Sequence, residues 1–454
     1  TENEQYSNAQ FFHWENDFKK FLKFYIYLTD VDDNSGPHLF VEKSHSHKNK
    51  LYYFTNSFPY GLGENWKLNE LNILTNVFDE IHLIPFSYGG DNKKTKIKLP
   101  KGVILEEPLT KGLAIHLTKT SIIQVFDRNI IFYLKEFLRK RVYLDKQKVI
   151  KWLLTIVQVK RLLKIEKLAS LIKDDSPNNF YYFFWGIGAA NIIPLFNKDT
   201  KKKILVRMHR YDLYENEAKN YIPFRQDLIK HSSFIAPCSN DGSNYLKQKY
   251  PNYSHKIRTI RLGVNSIGIK PNKTDRVMRI VSCSYISEVK RVEILAKSLM
   301  LIDFNIEWTH IGDGPLRKKI EEITNNYPDH VTYKTTGMVK PDEVLQILTS
   351  TPFDLFINVS SSEGVPISIM EALSSGIPVF ATDVGGSKEI VNNSLGKLLP
   401  KNINAKILSN EITEFNKLNE KVKLKISKNA YQQYLDHCDA KTLTTNFSKI
   451  LLNL

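Results

Sequence analysis

Cysteine is scarce in this chain: Cys238, Cys283 and Cys438 are the only three in 454 residues. Three cannot build a disulfide scaffold, and none stands in a C-x-x-C pair, so a zinc cluster is unsupported as well. The scarcity suits a reducing, cytoplasmic setting. Long apolar runs are missing too. No stretch of about 18 uninterrupted apolar residues occurs, so no membrane-spanning helix is expected. No charged-then-apolar leader opens the chain, and a start at Thr1 rather than Met reads as a fragment or a processed chain. Acidic side chains are outnumbered, with 48 Asp and Glu against 64 Lys and Arg, a formal net charge of +16. That surplus raises nucleic acid, an anionic membrane surface and anionic substrates as partners.

What is present is ordinary globular material, 42% hydrophobic and 25% charged, which excludes a disordered or collagen-like chain. The length allows two large lobes or three small domains. In the second half, short apolar runs at 279–285, 305–311, 331–335, 354–359 and 377–382 read as strands. Helical spacing at 289–300, 316–325, 341–348 and 366–374 separates them. Such alternation predicts parallel βαβ units in a doubly wound sheet. The first half repeats the pattern less regularly, with strands expected at 51–58, 80–86, 180–185, 204–209 and 234–239. The predicted fold is therefore α/β, with two Rossmann-like lobes. The boundaries read as an N-terminal extension over 1–50, a first lobe over 51–265 and a second over 266–435. A C-terminal helix over 436–454 is expected to pack back on the first lobe. Inside the first lobe, residues 128–173 carry 13 Lys and Arg against 3 Asp and Glu. Lys160, Lys164 and Lys167 would share one helix face there. The segment reads either as a solvated helix face or as an amphipathic element lying on anionic lipid.

The densest chemistry lies at 360–389. Two successive strand–loop–helix turns place Glu363, Gly364 and Val365 at a helix N-terminus, whose free N–H groups favour phosphate. Glu371 follows eight residues later, inside the helix, where a carboxylate suits the paired donors of a ribose. Gly385 and Gly386 permit close backbone approach to a ligand.

These residues resemble retaining glycosyltransferases of family 4, which have the two-lobed GT-B fold; the resemblance implies that the lobes face a central cleft. The match is the E-x7-E pattern of Glu363 and Glu371 in EGVPISIMEALSSGIPV, with Gly385, Gly386 and Glu389 behind it. Upstream, VSCSYISEVKRV is similar to the segment that brings basic residues to the donor diphosphate. Lys290 and Arg291 hold that basic position, whereas Tyr285 stands where many members have an arginine. Gly312 resembles the family's second βα turn, and Gly337 with Met338 the loop near the nucleotide base. In the first lobe, the run from Arg207 through His209 and Asp212 to Tyr214 is similar to the family's R-x-H-x-x-D-x-Y stretch, whose histidine lies beside the donor sugar. Gly61, Gly63 and Glu64 resemble the glycine-rich loop near acceptor and phosphates.

The resemblance implies transfer of a sugar from a UDP- or GDP-sugar to a glycan or lipid-linked acceptor, with retention of anomeric configuration. Cell-surface polysaccharide synthesis is the implied setting. His209, Glu363 and Lys290 are the implied catalytic residues, and Arg291, Glu371, Gly364, Val365, Gly312, Gly337 and Met338 the implied donor-binding ones. No metal and no further cofactor is implied, and no nucleic-acid module is found. The setting would be cytoplasmic, peripheral on the inner face of the membrane through 128–173. An epimerase-type enzyme of two lobes and a non-catalytic basic membrane binder are the competing classes.

Residues 10–47 stand apart. They resemble part of the phytanoyl-CoA dioxygenase family, in which two histidines and a carboxylate hold iron. His13 with Glu15 or Asp17 could stand for two ligands. The distal histidine is absent before the first glycosyltransferase-like strand, so the segment reads as a truncated remnant.

Overall fold

The computed structural model describes residues 48–60, 64, 67–89, 97–110, 127, 129–197, 201–273 and 275–454. It also describes the backbone of two short strands, β1 (Phe12–Trp14) and β2 (Phe21–Lys23), paired antiparallel. Residues 1–49 and 50–454 form separate compact units.

The larger unit contains two six-stranded parallel sheets. The first comprises β3 (Lys50–Thr55), β4 (Glu80–Pro85), β5 (Val103–Leu105), β6 (Asn179–Phe183), β7 (Lys203–Met208) and β8 (Phe234–Pro237), in the order β5-β4-β3-β6-β7-β8. The second comprises β9 (Met278–Cys283), β10 (Ile306–Ile311), β11 (Val331–Thr335), β12 (Leu355–Asn358), β13 (Val379–Thr382) and β14 (Gly396–Leu399), in the order β11-β10-β9-β12-β13-β14. Each order reverses once, at β3/β6 and at β9/β12. Ligands of open α/β sheets bind at that reversal, beyond the carboxyl ends of the strands. The loops that leave β9 and β12 carry Lys290 and Glu363.

The central strands are mostly apolar and buried because helices cover both faces. In the first sheet the pairing is aromatic. Tyr53 stacks on Tyr182 and Phe54 on Phe183, with ring centroids 4.6 and 4.3 Å apart. Trp308 fills the second core, fully buried, and donates its indole N–H to Ser282 at 2.9 Å. The last helix, Ala440–Leu452, completes the first core: Phe447 and Leu451 pack with Leu51, Leu71 and Leu205. The chain crosses between the lobes beside itself, where Val264 pairs with Asp439.

Two differences from the sequence reading have simple causes. The edge strands β5 and β14 were not expected, because three and four residues are too short to show alternation. The predicted helix after Gly385 is a single 3-10 turn, Gly385–Glu389.

The basic segment folds as three helices, Ile130–Arg139, Lys146–Leu163 and Glu166–Lys173. Its expected lysine stripe is not a free cationic face. Lys160 pairs with Asp127 at 2.9 Å, and Lys167 pairs with Glu106. The helix breaks after Leu163, so Lys160 and Lys167 stand on different helices with Lys164 between them, and periodicity could show neither that break nor the acids brought in from elsewhere.

Candidate active site

A cleft of about 290 Å³ opens between the carboxyl edges of the two sheets. Trp185, His209, Arg210, Tyr211, Glu217 and Ser239 line it from the first lobe; Glu363, Gly364 and Val365 line it from the second.

On the second-lobe side, Lys290 Nζ lies 2.6 Å from Glu363 Oε1, and the Asn358 amide donates to the same oxygen at 3.2 Å. Glu363 is buried, which makes its paired charge strong. The loop is clamped from behind. Gly386 donates its N–H to Gly364 O at 2.6 Å. Gly385, at φ +53°, lies so close that a Cβ would sit 1.9 Å from Glu363 O. These glycines lie against the Glu363–Gly364 backbone. Gly312 does the same one turn away: at φ +139°, its Cβ would fall 2.1 Å from Ser284 O. Gly337 and the exposed Met338 lie at the open carboxyl edge of β11.

Glu371 projects from the helix Ile367–Ser374. Burial lifts its carboxyl to about 8. Its charge and that of Lys290 both reach the Cys283 thiol, whose pKa is raised first by its own burial. Glu363, Glu371 and Lys290 therefore converge at the end of β9.

Arg291 is engaged by the backbone. Its guanidinium donates to three backbone carbonyls, Val359 at 2.7 Å, Ser360 at 3.0 Å and Lys401 at 3.0 Å. It ties loops together, with its own backbone in the left-handed region at φ 48°.

On the first-lobe side, His209 follows β7 and is held by Asp212, which accepts the His209 N–H at 2.6 Å and also the Gly186 N–H. Asp212 is wholly buried, and burial lifts its carboxyl to about 6. The imidazole stacks on Phe184, centroids 4.7 Å apart, and tilts against Trp185 at 4.5 Å. Burial, then the positive charges of Arg207 and Lys67, hold its pKa well below the ordinary value. The ring is therefore neutral, a group that donates or accepts a hydrogen bond without carrying charge.

Arg207 does not reach the cleft. It is buried under the last helix, 3.1 Å from Glu70, with its guanidinium 4.7 Å from the Phe447 ring centroid. Tyr53 and Tyr182 donate to the same glutamate at 3.0 and 2.9 Å. Glu64 accepts the Ser57 and Phe58 N–H groups at 2.9 and 2.7 Å, the Trp185 indole at 2.8 Å, and Lys67. It shapes the wall behind Trp185. Gly61 and Gly63 lie outside the described residues.

Lys67 was not foreseen. It is fully buried, 4.0 Å from the Phe184 centroid, and burial brings its ammonium down to about 8. A lone lysine at a helix start carries no sequence signal for such a position. Among the described residues, no group of three or more His, Cys, Asp or Glu side chains is placed to hold a metal ion.

Two parallel sheets of this order, joined by a cleft and tied by a returning C-terminal helix, define the GT-B class. Solved structures agree. The chain superposes on a glycosyltransferase from Rickettsia africae with a TM-score of 0.60, 17% identity, and 89% of this chain and 98% of that one covered. It superposes on Anabaena Alr3699/HepE, solved with UDP and glucose, with a TM-score of 0.57, 14% identity, and 90% and 100% covered.

Within that class, residues 269–433 match the family model described as glycosyl transferases group 1. WcaL of Escherichia coli K12, a glycosyltransferase provisionally assigned to colanic acid biosynthesis, is 25% identical over 228 residues, 48% of this chain and 56% of that protein. Protein CapJ of Staphylococcus aureus is 30% identical over 191 residues, 39% and 48%. The chain spans about half the length of the curated relatives it matches.

Proposed function

We propose that this protein is a retaining glycosyltransferase of family 4 that takes a sugar from a UDP- or GDP-sugar. The observation that carries this is the Lys290–Glu363 pair at the second sheet's reversal, with neutral His209 across the cleft. The ammonium would offset charge growing on the departing diphosphate, an electrostatic contribution worth the most in a water-poor site. Glu371 would accept the ribose hydroxyls, and His209 would hydrogen-bond the sugar. The acceptor oxygen bonds the anomeric carbon, the bond from that carbon to the diphosphate oxygen breaks, and the acceptor's proton leaves with the diphosphate.

The acceptor would be a glycan or a lipid-linked precursor in cell-surface polysaccharide synthesis, a setting supported by the colanic acid assignment of WcaL, and the site of action would be the cytoplasmic side of the membrane. The second lobe, over 266–435, would hold the donor, and the first, over 51–265, the acceptor. For residues 10–47 the proposal is a dioxygenase-like remnant, supported by sequence resemblance alone. His13 lies on β1, whereas Glu15 and Asp17 lie outside the described residues.

The test is calorimetric titration with UDP and GDP, followed by turnover of the donor sugar that binds. Lys290→Ala should lower turnover about a hundredfold or more with little change in melting temperature. Full turnover in that variant would sink the assignment.

A further inference from the structure

The helix Ile130–Arg139 has two unlike faces. Its inner face is locked into the first lobe. Tyr133 and Glu136 are buried, and Glu136 accepts the Phe224 N–H at 3.1 Å and pairs with Arg139, which also reaches Asp227 at 2.6 Å. The outer face is apolar and bare: Ile131 is 79% exposed, Leu138 65%, and Leu134 lies between them at the helical spacing i, i+3, i+7. The following turn extends the patch with Tyr143 and Leu144, both more than half exposed. Tyr143 lies against Phe137, with ring centroids 6.0 Å apart, so the turn and the helix are neighbours.

Isolated exposed leucines need no explanation, but a contiguous set on one helix face does. The charge around the patch identifies what covers it. From 130 to 150 the exposed charged residues are Lys135, Arg141 and Lys146. The two acids of this stretch are engaged: Glu136 is buried, and Asp145 caps the next helix by accepting from Gln147 and Lys148. An apolar stripe fringed only by exposed cations suits an anionic bilayer, into which the apolar groups insert while the ammonium groups meet phosphates.

We infer that Ile131, Leu134, Leu138, Tyr143 and Leu144, flanked by Lys135, Arg141 and Lys146, form the membrane-docking face. The lysine stripe 160/164/167 is not that face. The inference rests on the glycosyltransferase reading only in that a bilayer would present a lipid-linked acceptor. Docking is monotopic: no helix among the described residues is long and apolar enough to cross a membrane.

The test is flotation of the full chain with vesicles of equimolar phosphatidylglycerol and phosphatidylcholine, and with phosphatidylcholine alone. The wild-type chain should float with the anionic vesicles only. Ile131→Asp/Leu138→Asp should weaken binding about tenfold or more, and Lys135→Glu/Lys146→Glu should weaken it comparably. The second variant changes only exposed polar positions and guards against misfolding of the first. Lys164→Glu should change little. Unchanged flotation in both double variants, or equal flotation on neutral vesicles, overturns the inference. So does a dimer in sedimentation velocity that Ile131→Asp/Leu138→Asp dissociates, because a second copy would then cover the face. UDP and GDP calorimetry on the wild-type chain judges the enzymatic reading separately. Nucleotide binding without flotation sinks only the docking face, and flotation without nucleotide binding sinks only the transferase.

Discussion

At the scale of residues, burial holds His209, Asp212 and Glu371 away from their ordinary pKa values. Glu371 is the clearest. Its carboxyl titrates at about 8 in the fold and near 4.5 when unfolded. Between those values the unfolded chain has lost a proton that the folded chain keeps, so this residue's contribution to stability falls as pH rises from about 4.5 to about 8. Glu371→Gln should flatten that dependence, which urea unfolding between pH 5 and 9 measures. A wild-type curve as flat as the variant's would refute it. The motif made Glu363, Glu371, Lys290 and His209 legible in the sequence, because each falls in a recognisable local string. Arg291 and Lys67 were not legible. Arg291 is set by carbonyls 68 to 110 positions away in the chain, and Lys67 by aromatic rings contributed by another loop.

At the scale of elements, the alternating strands and helices of the second lobe could be read because each strand is an apolar run stopped by a turn. The element that orders the site is harder to see. The turn at Gly385 and Gly386 presses on the Glu363 loop with backbone alone, and two adjacent glycines look alike whether they approach a ligand or a neighbouring chain segment. Gly385→Ala must place a methyl group against Glu363 O and hold an unfavourable positive φ. The expected cost is about 2–3 kcal/mol of stability, seen in a calorimetric melt, together with weaker nucleotide binding as Glu363 is displaced. Unaltered melting would mean the turn yields without consequence.

At the scale of the whole molecule, carboxylates tie the lobes together, and Glu389 makes the most contacts. Glu389, from the second lobe, accepts the N–H groups of Asn240 and Asp241 at 2.9 and 3.0 Å and pairs with Arg261 at 2.6 Å. It places negative charge at the N-terminus of the first lobe's helix Asn240–Lys249, where the helix dipole favours it. Glu389→Ala should speed amide exchange at Asn240 and Asp241 by about tenfold, with strand β9 unaffected. Equal protection in both proteins would show that the lobes are held otherwise.

The returning C-terminal helix has a consequence for the order in which the molecule is made. Phe447 and Leu451 pack on strands synthesised some two hundred to four hundred residues earlier, and the Phe447 ring covers the buried guanidinium of Arg207. A ribosome that has finished the first lobe's strands has not yet finished its core. That lobe is assembled first and sealed last.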